Sequence, residues 1–307
     1  MTMQAPFPYF GGKSEIASVI WDGLGDVRFY LEPFCGSGAV LLARPQHHRN
    51  DNEIINDFDC HIANVWRGIK YYPDEVAKWC DYPISHADQI ARHQYLVDKQ
   101  DNLREKILSH PEYCDAQMAG YWIWGMSCWI GDGWCQKLSD GKVSNKMPVT
   151  YNMRGIHSER VKKISDIYDY MRILSKRMKN LRILCGDWKQ GFRTPAILED
   201  DCGIFFDPPY SLEAGRDNNL YRHENLSVSH EVREWCIQHE GKCKIVLAGY
   251  DVEHCELERR GWQSYEWKTQ GGYSNQRKNG DKNTNNERER LWFSPLCNRV
   301  GITLFNR

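Results

Sequence analysis

Reactive residue types concentrate in short, well-spaced segments of this chain. The tetrapeptide Asp207-Pro208-Pro209-Tyr210 follows Cys202-Gly203-Ile204-Phe205-Phe206, an apolar run of strand type. Such a run delivers the tetrapeptide to the carboxyl end of a buried strand, where α/β enzymes place their ligands. Two consecutive prolines remove two backbone donors and restrict φ, so the turn is rigid and presents carbonyl acceptors rather than amides. Asp207 adds a carboxylate and Tyr210 a flat aromatic face. Rigid acceptors beside a stacking ring suit a planar amine such as the amino group of a nucleobase. The bland alternative is a plain strand-to-loop turn, which the strand context disfavours.

A second segment runs Glu32-Pro33-Phe34-Cys35-Gly36-Ser37-Gly38, between the β-rich Val27-Arg28-Phe29-Tyr30-Leu31 and the helix-forming Ala39-Val40-Leu41-Leu42-Ala43. Strand, tight glycine loop and helix let a backbone approach a ligand closely, with free amides at the helix start. No Gly-Lys-Ser/Thr ends the loop and no Gly-x-Gly-x-x-Gly occurs, which excludes a Walker loop and the dinucleotide fingerprint. About twenty residues later Ile54-Ile55-Asn56-Asp57 reads as a second strand ending in a carboxylate, placed to accept hydrogen bonds from ribose hydroxyls in a doubly wound sheet. An Asx turn or helix cap before the helical run Ala63 to Ile69 is the structural alternative for Asp57.

With Pro8-Tyr9-Phe10-Gly11-Gly12-Lys13 at the start of the chain, these motifs and their order resemble the Dam-type DNA adenine-N6 methyltransferases, which use S-adenosylmethionine. The resemblance covers residues 6–65 and 181–300. It implies an α/β fold, a Rossmann-like S-adenosylmethionine-dependent methyltransferase sheet with an inserted, mainly helical target-recognition domain. The implied division is a first catalytic part at 1–65, a target-recognition domain at 66–180 and a second catalytic part at 181–307. Carried over by position, Tyr9 and Lys13 would contact the methyl donor, Lys13 near its methionine carboxylate. Phe34, Gly36 and Gly38 would form the loop around the methionine part, with Glu32 at its head, and Asp57 would hold the ribose hydroxyls. Cys185-Gly186-Asp187-Trp188 resembles the family's Gly-Asp-Phe segment, so Asp187 would accept from the cofactor's adenine. The chain departs in having Glu32 for the usual Asp, and Phe10 for the Trp or Tyr beside the glycine pair.

The resemblance makes Asp207, Pro208 and Tyr210 catalytic. Asp207 and the Pro208 carbonyl would accept the two N–H hydrogens of a flipped-out adenine, Tyr210 would stack on the ring, and the acceptors would stabilise positive charge developing on nitrogen. No metal is implied. Related amino-methyltransferases carry Ser or Asn first and act on cytosine N4 or protein glutamine, so Asp207 favours adenine. Cytosine N4, RNA adenine and a catalytically silent DNA-binding homologue stay open as alternatives.

The net charge of −1, from 40 Lys+Arg against 41 Asp+Glu, points to no polyanionic partner until it is resolved by region. Lys142 to Arg182 carries 11 basic and 3 acidic residues and Lys268 to Arg290 carries 6 and 3, leaving −12 on the remainder. Two basic regions on an acidic body suggest a polyanion bound at one place, which the resemblance implies is double-stranded DNA. Arg154 and Lys162 in the first region, and Arg277, Lys278 and Lys282 in the Gly/Asn-rich second one, are the candidate DNA contacts. The first region includes an amphipathic helix expected over Ser158 to Asn180, with Ser158 as N-cap, whose cations could equally form a solvated face.

The remaining elements frame these segments. Residues 66–180 carry no strong strand run but contain Trp79, Trp122, Trp124, Trp129 and Trp134, most of them suited to core packing and one or two to wedging into an unstacked duplex. Lys244 to Tyr250 reads as another buried strand. Leu291-Trp292-Phe293-Ser294 and Val300 to Leu304 read as closing strands of an edge hairpin. The 41% hydrophobic and 26% charged fractions fit a globular chain, and no run reaches the roughly 18 apolar residues of a membrane span. Twelve scattered cysteines without a Cys-x-x-Cys pair read as reduced packing residues, which with the absence of an export signal points to the cytoplasm. A cognate restriction enzyme is a further conceivable partner.

Overall fold

A computed structural model of the chain describes residues 3–9, 11–49, 52–129, 134–136, 155–157, 166–193, 201–210, 228–267 and 289–301. Helix α1 (Ala17–Leu24) precedes β1 (Phe29–Glu32), and the glycine loop leads into the short α2 (Ala39–Leu42). Strand β2 (Asn52–Asp57) is followed by α3 (Cys60–Tyr71), α4 (Pro73–Cys80), α5 (His86–Ser109) and α6 (Ala116–Cys128). Polar side chains start these helices as their sequences allow. Asp59 accepts from the His61 amide at 2.8 Å for α3, and Asp115 from the Met118 amide at 2.9 Å for α6, while α4 opens on Pro73, whose missing N–H costs nothing there. Helix α7 (Ile167–Arg177) leads to β3 (Leu181–Cys185), followed by β4 (Cys202–Phe206), α8 (Val228–His239), β5 (Lys244–Tyr250), α9 (Glu256–Arg259), β6 (Gln263–Glu266) and β7 (Glu289–Phe293).

The strands form one sheet of order β3-β2-β1-β4-β5-β7-β6. Strands β1 to β5 run parallel to one another, and β7 enters antiparallel to both β5 and β6. Chain order reverses between β1 and β4, so a crevice opens beyond the carboxyl ends of these strands. All five residues of β4 are buried, because helices and loops cover both faces. Tyr30, Ile55, Phe205 and Val246 belong to one apolar cluster with α1 and α3 to α7; Leu31, Ile54, Ile204, Phe206 and Leu247 belong to the other with Trp188, Val232 and Trp292. This is the Rossmann-like methyltransferase fold with an inserted helical region.

Two local expectations need correction. The helix expected over Ser158 to Asn180 is not continuous, because Asp166 adopts an extended conformation and caps α7 by accepting from the Asp169 amide at 2.8 Å. Ser158 itself lies outside the described residues. Strand β7 does cover Leu291 to Phe293, but its hairpin partner is β6, not the segment from Val300. Val300 and Gly301 lie outside any strand, and Val300 is tied instead to the Gln263 side chain, whose Nε2 donates to Val300 O at 2.6 Å. Residues 302–304 lie outside the described set. The twelve cysteines are free thiols, nine of them buried as packing residues. Among the described residues no helix is long and apolar enough to cross a membrane.

Candidate active site

The glycine loop after β1 is fixed from three sides. Asn56 at the end of β2 donates its Nδ2 to Pro33 O and Gly186 O, both at 3.0 Å, and so staples the loop to the turn after β3. From α3, Trp66 donates Nε1 to Gly36 O at 3.0 Å. Asp57 uses both oxygens: Oδ2 accepts from the Gly36 amide at 3.0 Å and Oδ1 from the Asp59 amide at 2.9 Å. The second bond is the Asx turn that the sequence allowed; the first ties the carboxylate to the loop as well. Gly36 and Gly38 sit in the left-handed region with φ of 45° and 60°. A Cβ at Gly36 would meet the Tyr9 ring at 2.6 Å, and one at Gly38 the Trp66 ring at 2.9 Å.

A cavity of about 370 Å³ lies over this loop. Eight of the nominated residues line it: Tyr9, Lys13, Glu32, Phe34, Gly36, Asp57, Asp187 and Asp207. Gly38, Pro208 and Tyr210 are not in the lining. Gly38 shapes the loop from behind, Pro208 is buried at the end of β4, and Tyr210 reaches the site by donating its hydroxyl to Asp207 Oδ1 at 3.2 Å. Asp187 caps the turn Trp188–Phe192 by accepting from the Lys189 amide at 2.8 Å. Phe34 packs on Trp188 and Phe206, with ring centroids 6.3 and 6.4 Å away.

Lys13 is 4% exposed, and its ammonium lies 2.9 Å from Asp207 Oδ2 while donating to Gly11 O at 2.7 Å. Burial works against that charge, but the neighbouring carboxylates of Asp207 and Glu289 outweigh it and hold the lysine above its ordinary pKa. Asp207 therefore has one oxygen on an ammonium and the other on a phenol, which fixes the plane of its carboxylate. The Tyr210 ring in turn packs edge-on against Tyr250 at 4.6 Å. Two other acids in the cavity wall are shifted upward by burial, Asp57 to about 7 and Glu32 to about 8, the latter despite hydrogen bonds from Tyr30 and the Leu41 amide that oppose the shift.

Sequence reasoning missed one wall of the cavity. Trp122, Met126, Trp134 and Gln136 line it from the helical insertion. Trp122 and Met126 stand one helical turn apart on α6, a spacing that marks a buried face without saying against what it packs. Core packing is confirmed for Trp122, Trp124, Trp129 and Trp134. The DNA candidates Arg154, Lys162, Arg277, Lys278 and Lys282 lie outside the described residues. Gly155, next to Arg154, is described: the Ile156 amide donates to Pro6 O at 2.7 Å and a Cβ at Gly155 would meet the same oxygen at 2.5 Å, so this segment abuts the N-terminal motif.

The site thus offers carboxylate acceptors and flat apolar faces at one end, and a rigidly held carboxylate beside aromatic rings at the other. Residues 9–276 match the sequence profile of the D12 class N6 adenine-specific DNA methyltransferases. Among individual proteins, the chain is similar to the type II methyltransferase M.MjaIII of Methanocaldococcus jannaschii, 25% identical over 214 residues covering 65% of this chain and 66% of that protein. It is also similar to the type II methyltransferase M1.LlaDCHI of Lactococcus lactis subsp. cremoris, 22% identical over 210 residues covering 66% and 64%. The matched segments thus span just under two thirds of each relative's length. With its motifs gathered around one crevice and the profile matched from the first motif to beyond β6, the chain belongs to the D12 class of N6 adenine-specific DNA methyltransferases.

Proposed function

We propose that the chain transfers a methyl group from S-adenosylmethionine to N6 of a flipped-out adenine in double-stranded DNA. The observation that carries this is Asp207, held at the mouth of β4 by Lys13 and Tyr210 and facing the same cavity as Asp57 and Asp187. S-adenosylmethionine, the methyl donor of this class, fits the lining. Asp57 and Asp187 supply acceptors for hydroxyls and an amine, Phe34 and Trp188 supply apolar faces, and the glycines leave loop backbone uncovered. When bound, it supplies an electrophilic methyl group on a sulfonium.

An aromatic amine is a poor nucleophile because its lone pair is spread into the ring. Asp207 and the Pro208 carbonyl accept its two N–H groups, which favours a pyramidal nitrogen with the lone pair free to attack. As positive charge develops on that nitrogen, the Asp207 carboxylate stabilises it without reorganising, since both its oxygens are already fixed. Tyr210, steadied by Tyr250, offers its face to the base that has left the duplex. Residues 66–180 act as the target-recognition region, with Arg154 near the flipped base, Lys162 on a phosphate, and Arg277, Lys278 and Lys282 in a basic loop that probes a groove. The cytoplasm, where DNA is methylated and thiols stay reduced, is the place of action. Replacing Asp207 by Ala should abolish transfer while S-adenosylhomocysteine still binds; retained transfer removes Asp207 from the mechanism. Digestion of labelled product to nucleosides separates N6-methyladenine from N4-methylcytosine, and a parallel reaction on RNA separates the nucleic acids.

A further inference from the structure

Strand β7 runs antiparallel to β5, so its first residue, Glu289, lies opposite Tyr250 at the crevice end of the sheet. Its side chain is 14% exposed, and Oε2 lies 3.9 Å from the Lys13 ammonium. The same ammonium donates to Gly11 O and lies 2.9 Å from Asp207 Oδ2. Two carboxylates therefore share one nearly buried cation. No motif singled out Glu289, because the strand signal begins two residues later at Leu291.

We propose that Glu289 is a positioning residue of the methyl-transfer site, sharing the Lys13 ammonium with Asp207 so that Asp207 keeps enough negative charge to accept the N–H groups of the target amine. The inference rests on the reading of Asp207 as amine acceptor. A lysine paired with Asp207 alone would cancel the charge that the developing ammonium needs. With Glu289 present, the cluster carries one net negative charge when both carboxylates are ionised, matched to a reaction in which nitrogen gains positive charge. The groups facing Glu289 agree with this division. Lys13 comes from the N-terminal segment, Asp207 from the end of β4 and Tyr250 from β5, while Arg290 turns to Glu266 of β6 at 3.0 Å. Burial raises the Glu289 carboxyl above its ordinary value, Lys13 pulls it back down, and Asp207 pushes it up, as expected for two acids on one cation.

The test uses the full chain with Glu289→Gln and Glu289→Asp. The Gln variant should lose about tenfold in kcat for DNA methylation, with KM for DNA and the Kd for S-adenosylhomocysteine within about twofold of the parent, and Asp should restore much of the loss. Independently of turnover, the Glu289 carboxyl, followed by 13C NMR and assigned with Glu289→Gln, should titrate at higher pH once Lys13 is replaced by Met. An unchanged kcat in the Gln variant, equal losses in the Gln and Asp variants, or a Glu289 titration indifferent to Lys13 would overturn the proposal. If the parent chain methylates no nucleic acid, the proposed function fails instead, and the titration still decides whether the charge is shared.

Discussion

Glu32→Gln isolates the electrostatics of the cavity wall in a single side chain. Glu32 ends β1, is 2% exposed, and receives the Tyr30 hydroxyl at 3.0 Å and the Leu41 amide at 3.2 Å, both on Oε2. Glutamine can accept both bonds with its carbonyl oxygen, so it copies the protonated acid in shape and hydrogen bonding. Burial raises the carboxyl from 4.5 to about 8. Between those values the unfolded chain releases a proton that the folded chain keeps, so the wild type loses stability as pH rises from about 4.5 towards 8, and the Gln variant lacks this component. Linkage over that gap makes the advantage of Gln over Glu grow by about 3 kcal/mol between pH 5.5 and pH 8.5. Water entering from the cavity would reduce the growth but not its sign. Urea unfolding of both proteins at the two pH values measures it, without donor or DNA. A stability difference that is flat with pH, or one that favours the wild type at pH 8.5, would refute a buried, proton-retaining Glu32.

Asn56→Ala leaves Pro33 O and Gly186 O without the amide that joins them, and should cost about 2–4 kcal/mol in chemical unfolding while weakening S-adenosylhomocysteine binding in calorimetry. Gly36→Ala forces a side chain into a left-handed backbone position 2.6 Å from the Tyr9 ring; donor affinity should fall at least tenfold, on the order of the 1–3 kcal/mol such strain costs, and unchanged affinity would show that the loop opens freely. Neutralising Arg277, Lys278 and Lys282 together should weaken DNA binding and flatten its salt dependence by about 2–3 in the logarithmic slope, with donor affinity untouched in the same preparations.

The parts of the site legible in the sequence are those encoded in one contiguous stretch. A strand feeding a glycine loop, a strand ending in Asn56-Asp57, and a buried strand ending in Asp207 each carry strand, turn and chemical group within ten residues or so, and the parallel sheet then brings their carboxyl ends together. What stayed hidden depends on contacts between distant segments. Strand β6, Gln263–Glu266, has no apolar alternation and exists through its register with β7. The cavity wall from α6 requires knowing that the insertion folds back over the loop. Charge counting also overstated the first basic region, since some of its cations serve the fold. Arg177 meets Glu53 at 2.5 Å and Arg172 meets Asp74 at 2.7 Å, so neither guanidinium is held ready for a phosphate.

The helical insertion and the donor site are parts of one packed structure rather than a recognition module hung on a catalytic sheet. Helix α3 carries both Trp66, whose indole holds the glycine loop, and Ala63, Ile62 and Ile69, which belong to the same apolar cluster as Leu96, Leu103 and Ile107 of α5 and Ile123 of α6. Arg92 of α5 lies buried among the rings of Tyr82, Tyr121 and Trp124 at 4.7, 4.5 and 4.3 Å, so the insertion has a rigid interior of its own that joins this cluster. Close-packed interiors transmit displacement rather than absorb it. A shift of α6 on engaging DNA would move Trp122 and Met126 in the donor cavity, and a shift of α3 would move Gly36 through Trp66. Under the proposed function, a displacement of the insertion by the target would therefore reach the donor cavity through its wall and through its loop, which is a physical reason to expect target and donor binding to be coupled.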